Sequence, residues 1–195
     1  EYRREPGLLD PREAIAVVDA ELPGEIGLVL GSGHQTDFGT MLFQRSREVT
    51  SNYGMFGAIG QAPLLTIGAA VAKREPMFVV EGDASFLMHL PEFETACRYD
   101  LPVLVVVMND EGLGAEYHKA SAKGLDPALA VIPTPELGAV ARALGGGGAT
   151  VRSVEELRAA LGEYVREPRP TVIDVRITRD VLSVPYRRIQ YGEDV

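Results

Sequence analysis

A doubly wound parallel α/β sheet of about six strands, with helices on both faces, is the fold class this sequence predicts. Three observations predict it. Two short apolar, β-branched runs, Met77–Val80 and Leu101–Met108, lack polar alternation and read as strands buried on both faces. Between them, Leu87 to Tyr99 carries a helical pattern in which Phe93, Ala96 and Cys97 share one face. Strand, helix, strand is a βαβ unit, whose strands run parallel. Similar apolar runs then alternate with helical stretches along most of the chain.

The elements follow in order. Glu1–Asp10 is polar, contains Pro6 and Gly7, and reads as a linker-like start. Asp10-Pro11 is an N-cap followed by proline at the first helical position. Ile15, Val18 and Leu22 supply one face of that helix, and Pro23-Gly24 stops it. Ile26–Leu30 is a strand, and Glu48–Ser51 a shorter one. Asn52–Gly60 holds Gly54, Gly57 and Gly60, which means special backbone angles, close ligand approach or a flexible loop. Pro63–Ala72 is an apolar helix, and the central βαβ unit comes next. Glu116–Pro133 reads as an irregular segment over the site edge, with Tyr117 and His118 in a solvated loop rather than on a substrate. Pro135–Leu144 is a helix, and Gly145–Gly148 a mobile turn. Ala149–Val151 and Thr171–Arg176 are strands. Ser153 with Glu156 forms a capping box that opens a helix to Val165. Residues 11–178 thus make the domain, and 179–195 a tail suited to a partner contact or to disorder. No internal repeat is present.

Composition narrows the function classes. At 195 residues, 46% hydrophobic and 24% charged, the chain is one globular domain with length for a sizeable core. A net charge of −9 argues against a general nucleic-acid or anionic-membrane binder. There is no apolar run long enough to span a membrane and no signal-peptide pattern, so the cytoplasm is the expected compartment. The lone Cys97 excludes an internal disulfide and reads as a small buried helix residue. Three histidines without metal-type spacing give no zinc site.

The chemistry gathers where the central strands stop. Met77–Val80 ends at Glu81-Gly82-Asp83, and Leu101–Met108 at Asn109-Asp110. Asp83 and Asp110 therefore fall at the carboxyl ends of parallel strands, where open α/β sheets bind ligands. Magnesium is usually held by one or two carboxylates plus ligand phosphate oxygens. Gly82, Gly112 and Gly114 would let backbone N–H groups approach those phosphates. The two acids read either as such a metal–phosphate site or as solvated loop acids. Gly31-Ser32-Gly33-His34-Gln35, after the first strand, is likewise either a phosphate-holding turn or a plain strand–helix turn.

Gly82-Asp83-Ala84-Ser85 and, one helix later, Asn109-Asp110 resemble the paired signature of thiamine-diphosphate-dependent enzymes: Gly-Asp-Gly, an interval of this length, then Asn-Asn. The flanking text is most similar to the acetolactate-synthase-type branch, and the resemblance runs from about Pro11 to Arg176. It implies the thiamine-diphosphate-binding fold, with thiamine diphosphate and Mg2+ as cofactors. Asp83, Asp110 and the Gly112 carbonyl would be the metal ligands. Gly82, Ala84, Ser85 and Leu113 would complete the diphosphate cradle. Gly33-His34-Gln35 matches the end of the family's Gly-Gln-His-Gln segment, with glycine for its first glutamine, so by this resemblance His34 is a candidate diphosphate ligand and Gln35 a weaker one. Gly57-Ala58-Ile59-Gly60 resembles the element whose first glycine carbonyl accepts from the aminopyrimidine, while Ile59 wedges the cofactor into its bent shape. Two positions depart from the family: Leu64 replaces a usual proline, with Pro63 one place earlier, and Asp110 replaces an asparagine.

In the resembled enzymes a glutamate on a separate pyrimidine-binding domain activates the cofactor, and no such domain fits here. The favoured reading is the C-terminal diphosphate-binding half of an acetolactate-synthase-like 2-oxo acid decarboxylase or carboligase. It takes a 2-oxo acid substrate, needs a pyrimidine-binding domain in the same or another chain, and works in a homo-oligomer. The first residue, Glu1, favours a piece of a longer chain. One alternative is a complete small subunit of a split decarboxylase of the sulfopyruvate or phosphonopyruvate type. The other, from a different class, is a non-catalytic binding or interaction module.

Overall fold

The computed structural model describes residues 5–45, 49–51 and 57–194. In chain order these form α1 (Pro11–Glu21), β1 (Gly27–Leu30), α2 (His34–Leu42), β2 (Val49–Ser51), α3 (Gln61–Lys73), β3 (Met77–Gly82), α4 (Asp83–Met88), α5 (Pro91–Arg98), β4 (Val103–Asn109), α6 (Gly114–Ala122), a 3-10 turn (Pro127–Ala130), α7 (Leu137–Ala143), β5 (Gly147–Val151), α8 (Val154–Arg166), β6 (Thr171–Arg176) and α9 (Val184–Tyr191). The strands form one six-stranded sheet in the order β2-β1-β3-β4-β6-β5. Every pairing is parallel. The sheet and its helices give the doubly wound class expected from the sequence.

Every residue of β4 is buried, and all of β3 except Gly82. Alternation along these strands sorts the apolar side chains into two layers. Leu28, Leu30, Phe78, Val80, Leu104 and Val106 face one way, against Ile15 and Val18 of α1 and Leu157 and Leu161 of α8. Val29, Val79, Val105 and Val107 face the other, against Ala62 and Ala70 of α3, Phe93 of α5, and Leu137 and Ala141 of α7. Two-sided burial explains why the central strands carry unbroken apolar runs.

The structure differs from the sequence expectation at five places. The single helix expected between β3 and β4 is two, because Pro91 lacks an N–H and starts α5 afresh. The segment expected to be irregular, Glu116–Pro133, holds most of α6, in which His118 is buried rather than in a solvated loop, and Asp126 caps the 3-10 turn by accepting from the Ala128 N–H. The expected mobile glycine turn is partly strand: Gly147 and Gly148 open β5. A Cβ on Gly148 would stand 2.1 Å from the carbonyl oxygen of Gly138 in α7, so glycine serves a close helix–strand approach. The tail from 179 onward carries α9, whose N-cap Ser183 accepts from the Tyr186 N–H. Of the linker-like start, residues 5–10 lie against the sheet: Leu9 is buried, its N–H donates to Arg176 O at 2.8 Å, and its carbonyl accepts from Thr178 N–H at 2.9 Å. Pro63 falls in the first turn of α3, where no N–H is required, so the shifted proline leaves the helix start intact at Gln61. The expected Gly54 lies outside the described residues.

One buried polar cluster ties the carboxyl ends of three strands together. Asp174 of β6 is fully buried. Its Oδ1 accepts from Asn109 Nδ2 at 2.8 Å. Its Oδ2 accepts from the Leu137 N–H at 2.9 Å, from Thr150 Oγ1 at 3.2 Å and from Arg176 at 3.1 Å. Asn109 Oδ1 in turn accepts from the Glu111 N–H at 3.0 Å, which holds the residues after β4 in a tight bend.

Candidate functional site

The chain reverses direction across the sheet between β1 and β3, since β2 lies on one side of β1 and β3 on the other. A crevice opens outside the strand ends at such a point. It holds a cavity of about 140 Å3. Three helices begin on it: His34 and Gln35 at the start of α2, Asp83, Ala84 and Ser85 at the start of α4, and Gly114, Ala115 and Glu116 at the start of α6. First-turn N–H groups lack partners within their own helix and carry partial positive charge, so this convergence suits an anion. Gly33, Ile59, Gly82, Asp110, Gly112 and Leu113 also line the cavity. Of the residues expected at the site, only Gly57 does not line it; it is exposed, with φ +58°, beside residues outside the described set. A larger cleft of about 460 Å3 lies between residues 5–13 and the start of α8, but its acidic lining with the single Arg152 contains none of the expected site residues.

Two acids meet at the cavity. Asp83 is 1% exposed, and its Oδ2 accepts from the Gly112 N–H at 2.9 Å. Burial, with the Asp110 charge beside it, pushes its carboxyl up to about 7. Burial also raises Asp110, to about 6, with the Arg179 guanidinium opposing the rise. Arg179 donates to the carbonyl oxygens of Asp110 and Glu111 and stacks over Tyr117 at 5.0 Å. A Cβ on Gly114 would meet Asp110 Oδ2 at 2.2 Å, so glycine is what gives this carboxylate its place. One buried and one half-buried carboxyl held this far above their ordinary range form a site short of positive charge. A divalent cation would supply that charge, and the carboxylate pair with adjacent N–H groups has the donors that magnesium bound to a phosphate takes. Among the described residues no cluster of three or more acidic, histidine or cysteine side chains could hold a metal by protein ligands alone.

Sequence reasoning passed over two residues, Glu81 and Ser183, and one link made by the expected Ser85. Glu81, the last acid of β3, is fully buried, and burial raises its carboxyl to about 7. Its Oε1 accepts from Gln35 Nε2 at 3.1 Å and from the Gly82 N–H at 3.0 Å, while Oε2 has no hydrogen-bond partner. Glu81 thereby directs the Gln35 amide. An acid placed immediately before Gly82-Asp83, at the end of an apolar strand, was the available signal. Ser85 Oγ accepts from the Gly60 N–H at 2.6 Å, which joins the Ile59 element to the start of α4. Ser183, from the tail, donates its N–H to His34 Nε2 at 2.9 Å. No local pattern announces that contact, because 149 positions separate the partners. His34 lines the cavity, but this nitrogen is engaged by the tail.

Comparison with known proteins agrees with this geometry. Residues 32–175 match the family model described as thiamine pyrophosphate enzyme, C-terminal TPP binding domain, thiamine pyrophosphate being another name for thiamine diphosphate. The chain is 34% identical over 129 residues to oxalyl-CoA decarboxylase of Escherichia coli (strain K12), covering 64% of this chain and 22% of that protein. It is 30% identical over 179 residues to acetolactate synthase 3, chloroplastic, of Brassica napus, covering 86% of this chain and 27% of the relative. The solved structure of benzoylformate decarboxylase from Polynucleobacter necessarius superposes with a TM-score of 0.80 at 21% identity, over 94% of this chain and 36% of that one, a likeness of fold. The chain therefore spans less than a third of the length of these two relatives.

Proposed function

The chain belongs to the thiamine pyrophosphate enzymes as their C-terminal TPP binding domain, and from that premise we propose that it is the diphosphate- and magnesium-holding half of an acetolactate-synthase-like 2-oxo acid decarboxylase or carboligase. The observation that carries the reading is the convergence of three helix starts and two carboxyls of raised pKa on one cavity. Asp83, Asp110 and the Gly112 carbonyl hold Mg2+. The turns at Gly33–Gln35, Gly82–Ser85 and Leu113–Gly114 would receive the diphosphate, and Ile59, which lines the same cavity, would pack against the cofactor. Gly57 serves the aminopyrimidine side. When bound, thiamine diphosphate supplies an electron sink for breaking the bond between a carbonyl carbon and its carboxylate.

This chain's residues bind, orient and exclude water. Asp83 is kept from solvent and Asp110 is half-buried, so the attraction of Asp83 in particular for the cation is little screened. The Gly112 N–H and the Asn109–Asp174 cluster fix the bend that carries Asp110. Activation of the cofactor requires a glutamate on a pyrimidine-binding domain in the same or another chain, within an oligomer. Two exposed leucines suit such a cover: Leu125 is 61% and Leu129 88% exposed, in the segment whose Val131 bridges to Gly112. Among the described residues no helix is long and apolar enough to cross a membrane, and the proposed compartment is the cytoplasm.

Calorimetric titration of the chain with thiamine diphosphate, in magnesium and in EDTA, tests the reading. Binding that needs magnesium is expected, and equal affinity in both buffers would overturn the ligand set. Carbon dioxide release from pyruvate by this chain alone, at a usual enzymic rate of about 1–1000 per second, would overturn the half-site assignment.

A further inference from the structure

The tail reaches the cavity through one imidazole. The Ser183 N–H donates to His34 Nε2 at 2.9 Å. The ring is held on its faces and edges by Phe38 at 4.8 Å, Tyr186 at 4.7 Å and His118 at 5.1 Å. Ser183 is fixed in turn: its Oγ donates to Asp37 Oδ2 at 2.7 Å and accepts from the Tyr186 N–H at 3.3 Å. A ring nitrogen that accepts a hydrogen bond carries no proton, so a neutral His34 must carry its proton on Nδ1. Burial, with His118 adjacent, lowers the His34 pKa to about 3, and the ring is neutral near pH 7.

The tautomer decides what His34 offers a ligand in the cavity it lines. A neutral imidazole attracts an anionic oxygen with its N–H and repels it with its lone pair. We propose that the backbone amide of Ser183 is a positioning group that locks His34 as the Nδ1–H tautomer, so that its free donor faces anionic oxygens such as those of a diphosphate. The lock itself stands on the Ser183–His34 geometry; only the identity of the anion rests on the cofactor reading above. Nothing in the local sequence around His34 selects a tautomer. The selection comes from the far end of the chain.

Two substitutions separate the amide from the hydroxyl. Ser183 has φ −68°, which proline adopts without strain, so Ser183→Pro deletes the N–H. Ser183→Ala keeps the N–H and loses only the Oγ contacts, which Ser183→Pro loses too. The primary readout is 15N NMR of the His34 ring in the ligand-free chain, where protonated and unprotonated ring nitrogens have distinct shifts. Nδ1–H is expected in the native chain and in Ser183→Ala, and a shift toward Nε2–H in Ser183→Pro. Nε2–H in the native chain, or the same tautomer in both variants, overturns the lock. The second readout is affinity for magnesium pyrophosphate. Ser183→Pro is expected to bind on the order of tenfold more weakly than Ser183→Ala, the loss of one hydrogen bond to a charged group. Equal affinities overturn the role in anion binding. Expected tautomers in a chain that does not bind thiamine diphosphate would support the lock and overturn the cofactor reading instead.

Discussion

Replacing Asp83 with asparagine should stabilise the metal-free protein at alkaline pH, although the residue sits at the centre of the site. The folded carboxyl titrates at about 7, against an ordinary value of 3.8. Well below 3.8 it is protonated in both folded and unfolded chains. Between 3.8 and about 7 the unfolded chain has released this proton while the folded one keeps it, so stability falls as pH rises through that window. A span of roughly three tenfold steps at about 1.4 kcal/mol each amounts to some 4 kcal/mol. Asp110 shares part of that, because the two acids titrate as a coupled pair, and about 2–4 kcal/mol is the expected gain. Asparagine has nearly the same shape and keeps an oxygen for the Gly112 N–H. The assay is urea unfolding of both proteins in EDTA at pH 4.5 and pH 8. The variant should be the more stable at pH 8, with the two within about 1 kcal/mol at pH 4.5. Magnesium at pH 8 should then stabilise the native protein more than the variant. A variant less stable at pH 8, or a gap independent of pH, would refute the reasoning.

Three further outcomes follow from close contacts. Gly114→Ala places a Cβ 2.2 Å from Asp110 Oδ2 and should weaken magnesium binding about tenfold or more with little change in circular dichroism; unaltered affinity would remove Asp110 from the metal site. Ser85→Ala deletes the acceptor of the Gly60 N–H and should cost about 1–3 kcal/mol in urea unfolding. Gly148→Ala drives a methyl into the Gly138 carbonyl, and a loss of about 1–3 kcal/mol is expected, with thiamine diphosphate affinity unchanged because the contact lies away from the cavity.

The sheet was legible because its strands are simple. Val103–Asn109 is short, almost wholly apolar and buried throughout, with Pro102 before it and Asp110 after it, and its length and β-branched content read as strand rather than helix. Asp83 and Asp110 were legible because strand ends in a parallel sheet share one edge. Elements held by distant partners were less readable. α6 has only His118 buried and a weak apolar stripe, and it packs on α9 from the other end of the chain. Gly147 and Gly148 look like a turn until Thr171 is brought against the first and Gly138 against the second, which a window of a few residues cannot show. Glu81 looked like strand punctuation; its function in directing Gln35 depends on β1 and β3 being neighbours.

The Asp174 cluster has a kinetic consequence. It binds Asn109, the start of α7, Thr150 and Arg176 into one unit before any ligand arrives. The bend that carries Asp110 is part of that unit, so a diphosphate approaching with its metal meets a finished wall rather than a loop that must first fold around it. Association is then limited by encounter and orientation. Its observed rate should rise in proportion to ligand concentration without reaching a plateau, and differences in affinity among variants of this edge should appear in how long the complex lasts.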